Sequence, residues 1–166
     1  MQVPIRKSGK YTHLQPDPYI TREKFNQLES ELAKLKNLQS PATEEVKRLA
    51  AMGDFSENAA YIMAKGRLRA INQKILELAE QIKKAKVIQP VIDTAKVRLG
   101  SRVTIFLSGQ EITYLILGSA EANPSQGIVS HNSPIGAALL GRQVGDNVIY
   151  ELADGKKMDC QVIKIE

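Results

Sequence analysis

The chain has 166 residues, a formal net charge of +5 and 25% charged residues, enough for one ordinary domain or two small ones. The excess of base is compatible with a nucleic-acid partner without requiring one. A single cysteine, Cys160, excludes an internal disulfide, and with only His13 and His131 beside it a zinc site is not expected. No apolar run approaches the roughly 20 residues of a membrane span, and residues 1–18 hold no apolar stretch of signal-peptide length. A soluble cytoplasmic protein is the expectation.

Residues 1–18 carry Arg6, Lys7, Lys10 and three prolines without periodicity, and read as a basic, flexible extension. Residues 19–89 then read as one arm. Apolar residues step by threes and fours through Phe25, Leu28, Leu32, Leu35, Ala42, Val46 and Leu49, with Gln39 the polar exception. They do so again through Ala64, Leu68, Ile71, Ile75, Leu78, Ile82 and Ala85. The two series mirror one another about Phe55, which is the pattern of an antiparallel coiled-coil hairpin. Arms of about 25 residues would reach about 37 Å. Thr21 is a candidate N-cap with Glu23 in the first turn. Ser40-Pro41 reads as a local break or kink at which the helix could restart, but the heptad count carries straight through it, so the arm is expected to continue with a kink. Gly53 suits the end of the first helix, and the second is expected from about Ser56 to about Lys86.

Residues 90–98 read as a linker, and from 99 to 166 the period shortens towards two. Strands are expected at Ser101–Leu107, Glu111–Leu117, Gly127–His131, Asn147–Leu152 and Met158–Ile165. One short helix interrupts them, with Ser133 as cap, Pro134 at its first position and Gly141 as its stop. The fold class is therefore α+β: a helical hairpin followed by a small sheet domain with one helix.

The chemistry concentrates near the hairpin's turn. Asp54 and Glu57 stand three apart, so at a helix start both carboxylates lie on one side. They can form a capping box, or share a hard cation such as Mg²⁺ that leaves its other sites to water and phosphate. The spacing leaves both readings open. Behind them residues 59–75 hold Lys65, Arg67, Arg69 and Lys74 and no acid. Such a group could hold a phosphate backbone, or be a solvated flank partly neutralised by Glu44 and Glu45. His131 reads as a strand residue, Ser133 has no catalytic neighbours, and no Walker or Rossmann motif is present.

Two blocks carry a resemblance. Gly53-Asp54-Phe55-Ser56-Glu57-Asn58-Ala59-Ala60-Tyr61 resembles the GD-x-SENA-x-Y tip of the Gre (GreA/GreB) family of bacterial transcript cleavage factors. Residues 127–141 (GIVSHNSPIGAALLG) resemble that family's IS-x-x-SP-x-x-x-ALLG segment. The likeness implies a coiled-coil domain followed by an FKBP-like domain. It also implies a monomeric accessory factor, not an enzyme, whose partners are bacterial RNA polymerase and the 3′ end of nascent RNA. The arm would enter the polymerase secondary channel. Asp54 and Glu57, supported by Ser56 and Asn58, would help hold a Mg²⁺ shared with the polymerase and stimulate hydrolysis of backtracked RNA. Lys65, Arg67 and Arg69 would face that RNA, and Asn132, Ser133 and Pro134 would meet the polymerase rim, with Lys74 and Ile135 assigned to the same two surfaces by their place beside them. A Gre-like channel inhibitor is the nearest alternative, opposed by the intact pair of tip acids. A prolyl isomerase would need an aromatic-lined pocket, for which the C-terminal segment offers only Phe106, Tyr114 and Tyr150. A non-catalytic coiled-coil adaptor would use the tip acids only as caps.

Overall fold

A computed structural model of the chain describes residues 17–52, 59–90, 93–152 and 154–166. The N-terminal half is built on two helices, α1 (Arg22–Ala51) and α2 (Ala59–Lys84). Thr21 caps α1 from an extended conformation, its hydroxyl accepting the Lys24 amide at 3.1 Å. The helix continues across Ser40-Pro41, as the uninterrupted heptad count indicated, with α1 running unbroken through Pro41. An interior proline costs about 3 kcal/mol by deleting an amide donor and crowding the preceding turn. Here the seam continues across it: Ala42 is buried directly after it, and Leu49 is buried two turns on. The Thr43 hydroxyl also donates to the Gln39 carbonyl at 2.8 Å. Packing along the arm outweighs the local break.

Phe25, Leu28, Leu32 and Leu35 of α1 join Leu78, Ile82, Ala85 and Ile20 in one apolar cluster. Gln39, the polar exception, donates its amide to the Asn72 side chain at 2.8 Å. Asn72 lies one position beyond the mirror partner of Gln39 about residue 55, so this bond crosses the hairpin in the expected antiparallel sense. A satisfied polar pair inside an apolar seam favours one register over its neighbours. The cap expected at Gly53 lies outside the described residues.

At its other end the arm closes on itself. Strands β1 (Tyr19–Ile20) and β2 (Lys86–Val87) pair in parallel, with Tyr19 opposite Lys86 and Ile20 opposite Val87. The Lys86 amide donates to the Pro18 carbonyl at 2.7 Å and the Ile88 amide to the Ile20 carbonyl at 2.8 Å. Asp17 and Pro18, read from sequence as part of a flexible extension, are thus built into the arm's base. The rest of that extension lies outside the described residues.

The C-terminal domain is a five-stranded sheet in the order β5-β4-β3-β7-β6. Its strands are β3 (Arg102–Leu107), β4 (Gln110–Leu117), β5 (Ile128–Ser130), β6 (Asn147–Glu151) and β7 (Lys157–Ile165). All pairings are antiparallel except that of β4 with β5. Helix α3 (Pro134–Leu139) is capped by Ser133 and followed by Gly141 at φ 78°, as the local signals suggested. Val103, Ile105, Ile116, Val162 and, from α3, Leu139 have no exposed surface. Val97 lies within the expected linker yet is 1% exposed in this core, its amide and carbonyl bonded to Arg142 and Gly141 at 2.8 Å each. Cys160 is buried, and that burial pushes its thiol above the ordinary value of 9.0.

Candidate functional site

At 1.5 Å per residue the 30 residues of α1 span about 45 Å, starting from the junction with the C-terminal domain. Asp54, Phe55, Ser56, Glu57 and Asn58 follow in sequence between Met52 and Ala59 and lie outside the described residues. On the last described turns before and after them, Met52, Ile62 and Met63 are exposed apolar side chains.

The basic residues behind the tip divide. Lys65 and Arg69, one turn apart, line a shallow pocket with Tyr61, Ile62 and Gly66. The Lys65 ammonium lies 5.7 Å from the Tyr61 ring centroid. Arg67 faces the other helix and pairs with Glu45 at 3.1 Å. Exposed pairs of this kind contribute at most about 1 kcal/mol, so Arg67 remains available to a stronger anion. Glu44, also read as a neutralising group, pairs with Lys47 on its own helix instead. Lys74 stands apart from the other three, in a groove near the arm's base that Lys24, Glu31, Glu77 and Lys84 also line.

The loop after β5 is set by Ser133, whose hydroxyl donates to the Ser130 carbonyl at 2.6 Å and accepts the Gly136 amide at 3.1 Å. Ser133 is thereby committed to shaping the loop. Ile135 packs against the sheet core, and Pro134 and Asn132 are exposed. Gly136 is required here: a Cβ would stand 2.0 Å from the Ser130 carbonyl oxygen. Of the four residues expected to meet a partner, two present themselves outward and two hold the loop in shape.

Sequence reasoning missed the constellation at the arm's base. The Asp17 carboxylate accepts the Ser119 amide at 2.7 Å, the Tyr19 amide at 3.1 Å and the Asn132 side-chain amide at 3.4 Å. Its side chain is 5% exposed. Burial raises the Asp17 pKa, but the amides of Ser119 and Tyr19, the Ser119 hydroxyl and the nearby His131 together hold it below the ordinary 3.8. The His131 Nδ1 lies 3.2 Å from the same carboxylate without the alignment of a hydrogen bond, so this attraction is purely ionic and depends on imidazole charge. His131 falls in the turn beyond β5, one residue past the strand it was expected to end, with its ring edge-on to Tyr19 at 5.7 Å. Nearby, Glu121 accepts the Thr21 amide at 2.7 Å and the Thr21 hydroxyl at 2.6 Å. No local signal marks the tie between the two halves, because Asp17 meets Ser119 and Asn132, and Glu121 meets Thr21, across 100 or more residues. Among the described residues no group of three His, Cys, Asp or Glu side chains could hold a metal.

The site thus sits on a two-helix arm rooted in a small five-stranded sheet domain. Residues 18–87 match the family description "Transcription elongation factor, N-terminal", and residues 92–166 match "Transcription elongation factor, GreA/GreB, C-term". The transcription elongation factor GreA of Macrococcus caseolyticus is 36% identical over 92% of this chain and 98% of its own length. That of Chloroflexus aggregans is 39% identical over 89% and 96%. The crystal structure of GreA factor homolog 1 of Thermus thermophilus aligns at 25% identity over 89% of this chain and 97% of that one, with a TM-score of 0.41. The chain belongs to the GreA/GreB family of transcription elongation factors.

Proposed function

We propose that this chain docks on bacterial RNA polymerase through its C-terminal domain and extends its arm down the secondary channel. There it stimulates the polymerase's own hydrolysis of backtracked nascent RNA. The observation that carries the reading is the family match across both halves of a chain whose described arm leads to the Asp54–Glu57 pair. Two carboxylates three residues apart suit a Mg²⁺ ion that keeps its remaining sites for water and phosphate. Such an ion, when bound, supplies charge neutralisation and a more acidic water. Asp54 and Glu57 would hold it only alongside ligands from the polymerase, since two solvated carboxylates alone bind Mg²⁺ weakly. Ser56 and Asn58 would support the tip, while Lys65 and Arg69, with Arg67 once released from Glu45, would steady the RNA backbone by charge. Lys74, a little further down the same helix, would extend that group towards the arm's base.

The test uses halted, backtracked elongation complexes carrying 3′-labelled RNA in Mg²⁺. Wild-type protein should release short labelled fragments, and the Asp54→Asn/Glu57→Gln double variant should bind the polymerase but release none. Equal release by both would reduce the tip acids to caps. Slowed nucleotide addition with no release by either would make the chain a channel inhibitor.

A further inference from the structure

We infer that Glu121 and Asp17, with Asn132, are positioning residues that lock the arm's direction to the loop following β5, so that attachment of the loop aims the distant tip. This rests on the function proposed above. The cap of α1 is held from the other domain: one carboxylate, Glu121, takes both the amide and the hydroxyl of Thr21 at 2.7 and 2.6 Å. The same hydroxyl accepts the Lys24 amide that begins the helix. Helix start and sheet domain therefore share a single atom. A carboxylate at this end also meets the positive pole of the helix.

The second bond set ties this junction to the loop. Asp17 accepts the Ser119 amide and the Asn132 side chain. The Asn132 side chain also reaches the Ser119 hydroxyl at 3.3 Å, which itself bonds the Ser130 hydroxyl at 2.8 Å. Asn132, expected from the family likeness to touch the polymerase, thus also touches the residue that anchors β1. Gly118 lets the two backbones meet: its φ of −69° is ordinary, but a Cβ there would lie 1.8 Å from the Tyr19 carbonyl oxygen.

Leverage makes this junction matter. For an arm of about 45 Å, a turn of about 10° at the base moves the tip by about 8 Å, and about 1.3° moves it by 1 Å. Misplacing a catalytic group by 1 Å can cost about 100-fold in rate. Tip acids on a freely pivoting arm would therefore reach the right place only rarely, however firmly the C-terminal domain were bound.

The experiment places spin labels at exposed Lys36 on α1 and Gln161 on β7, leaving buried Cys160 unlabelled. Distance distributions are then recorded for the full chain and for Glu121→Ala, Glu121→Gln and Asp17→Asn. The wild type should give one narrow distance, Glu121→Ala a broad distribution, and Glu121→Gln, which keeps one acceptor oxygen, an intermediate one. In RNA cleavage at saturating protein, Glu121→Ala should lose about 10- to 100-fold in maximal rate, with its half-saturating concentration within about 3-fold of wild type. Unchanged distances, or broadened distances with an unchanged maximal rate, would overturn the inference. Loss through half-saturation alone would do the same, since that is a docking defect. A wild type that releases no RNA would remove the proposed function and this aiming role with it, while the distances would still decide whether the junction is rigid.

Discussion

Replacing Gly118 with alanine gives opposite signs depending on whether the contact between β1 and the C-terminal domain governs the junction. The φ of −69° and ψ of 160° suit any residue. Were space available, alanine would stabilise the protein by about 0.4–1 kcal/mol by restricting the unfolded chain. Space is not available, because the new Cβ would lie 1.8 Å from the Tyr19 carbonyl oxygen, and real contacts begin near 3.0 Å. The strand must retreat by roughly 1.2 Å. Added to bonds of 2.6–2.7 Å, that displacement takes the Ser119–Asp17 and Thr21–Glu121 contacts beyond hydrogen-bonding range. Bonds to charged groups contribute about 1.5–3 kcal/mol each. The three are coupled and the separated groups regain water, so the expected loss at the junction is about 2–4 kcal/mol. Amide hydrogen exchange reads it directly. Protection at Thr21 and Ser119 should fall by roughly 30- to 1,000-fold, at about 1.4 kcal/mol per decade, while Val103 and Ile105 in the sheet hold theirs. Equal or greater protection at Thr21 and Ser119 in the variant would refute the reasoning.

Gly66→Ala should act in the opposite direction. Its Cβ meets nothing within 4 Å inside α2, so the arm should gain up to about 1 kcal/mol in denaturant midpoint measurements. Because the Asp17 pKa is lowered on folding, its contribution is fully present above the ordinary 3.8 and is lost as pH falls through the folded value. Ser119 protection should therefore weaken below about pH 4 in the wild type, and less so in Asp17→Asn. That comparison isolates Asp17 from Glu80 and Glu166, exposed carboxyls also lowered by Lys84 and Lys164, and from Glu121 and His131, the titratable neighbours at the junction. Cys160 is buried in the sheet with its thiol pKa raised, so alkylation should proceed only as fast as the C-terminal domain opens. Rapid modification in the native state would contradict the core described here.

Features with local causes were legible in the chain. The seam from Phe25 to Ala85 follows from spacing alone, and Ser133, Pro134 and Gly141 bracket α3 because caps and stops are single-residue chemistry. The continuation of α1 through Pro41 was legible too, because a local break worth about 3 kcal/mol is opposed by a seam spread along the whole arm. The β1–β2 pair was invisible because it is two residues long and joins positions far apart in sequence. Asp17 and Glu121 were missed for the same reason: an acid in a tail and an acid in a turn look ordinary until the fold sets them against an amide and a helix cap. The outward chemistry of the candidate site was read through its family likeness, whereas the supports that orient it needed coordinates.

The parallel pairing of Tyr19 with Lys86 has a consequence for how such a molecule can change. The arm leaves and returns at adjacent points, so its length is independent of its foundation. Seven residues added to α1 and seven to α2 would preserve the seam and lengthen the arm by about 10 Å, with Tyr19 still beside Lys86. Inserting seven into one helix alone would leave them unmatched and force a slip or a bulge. Reach is thus a quantity that matched insertions can tune in heptad steps, leaving the sheet domain and its loop untouched.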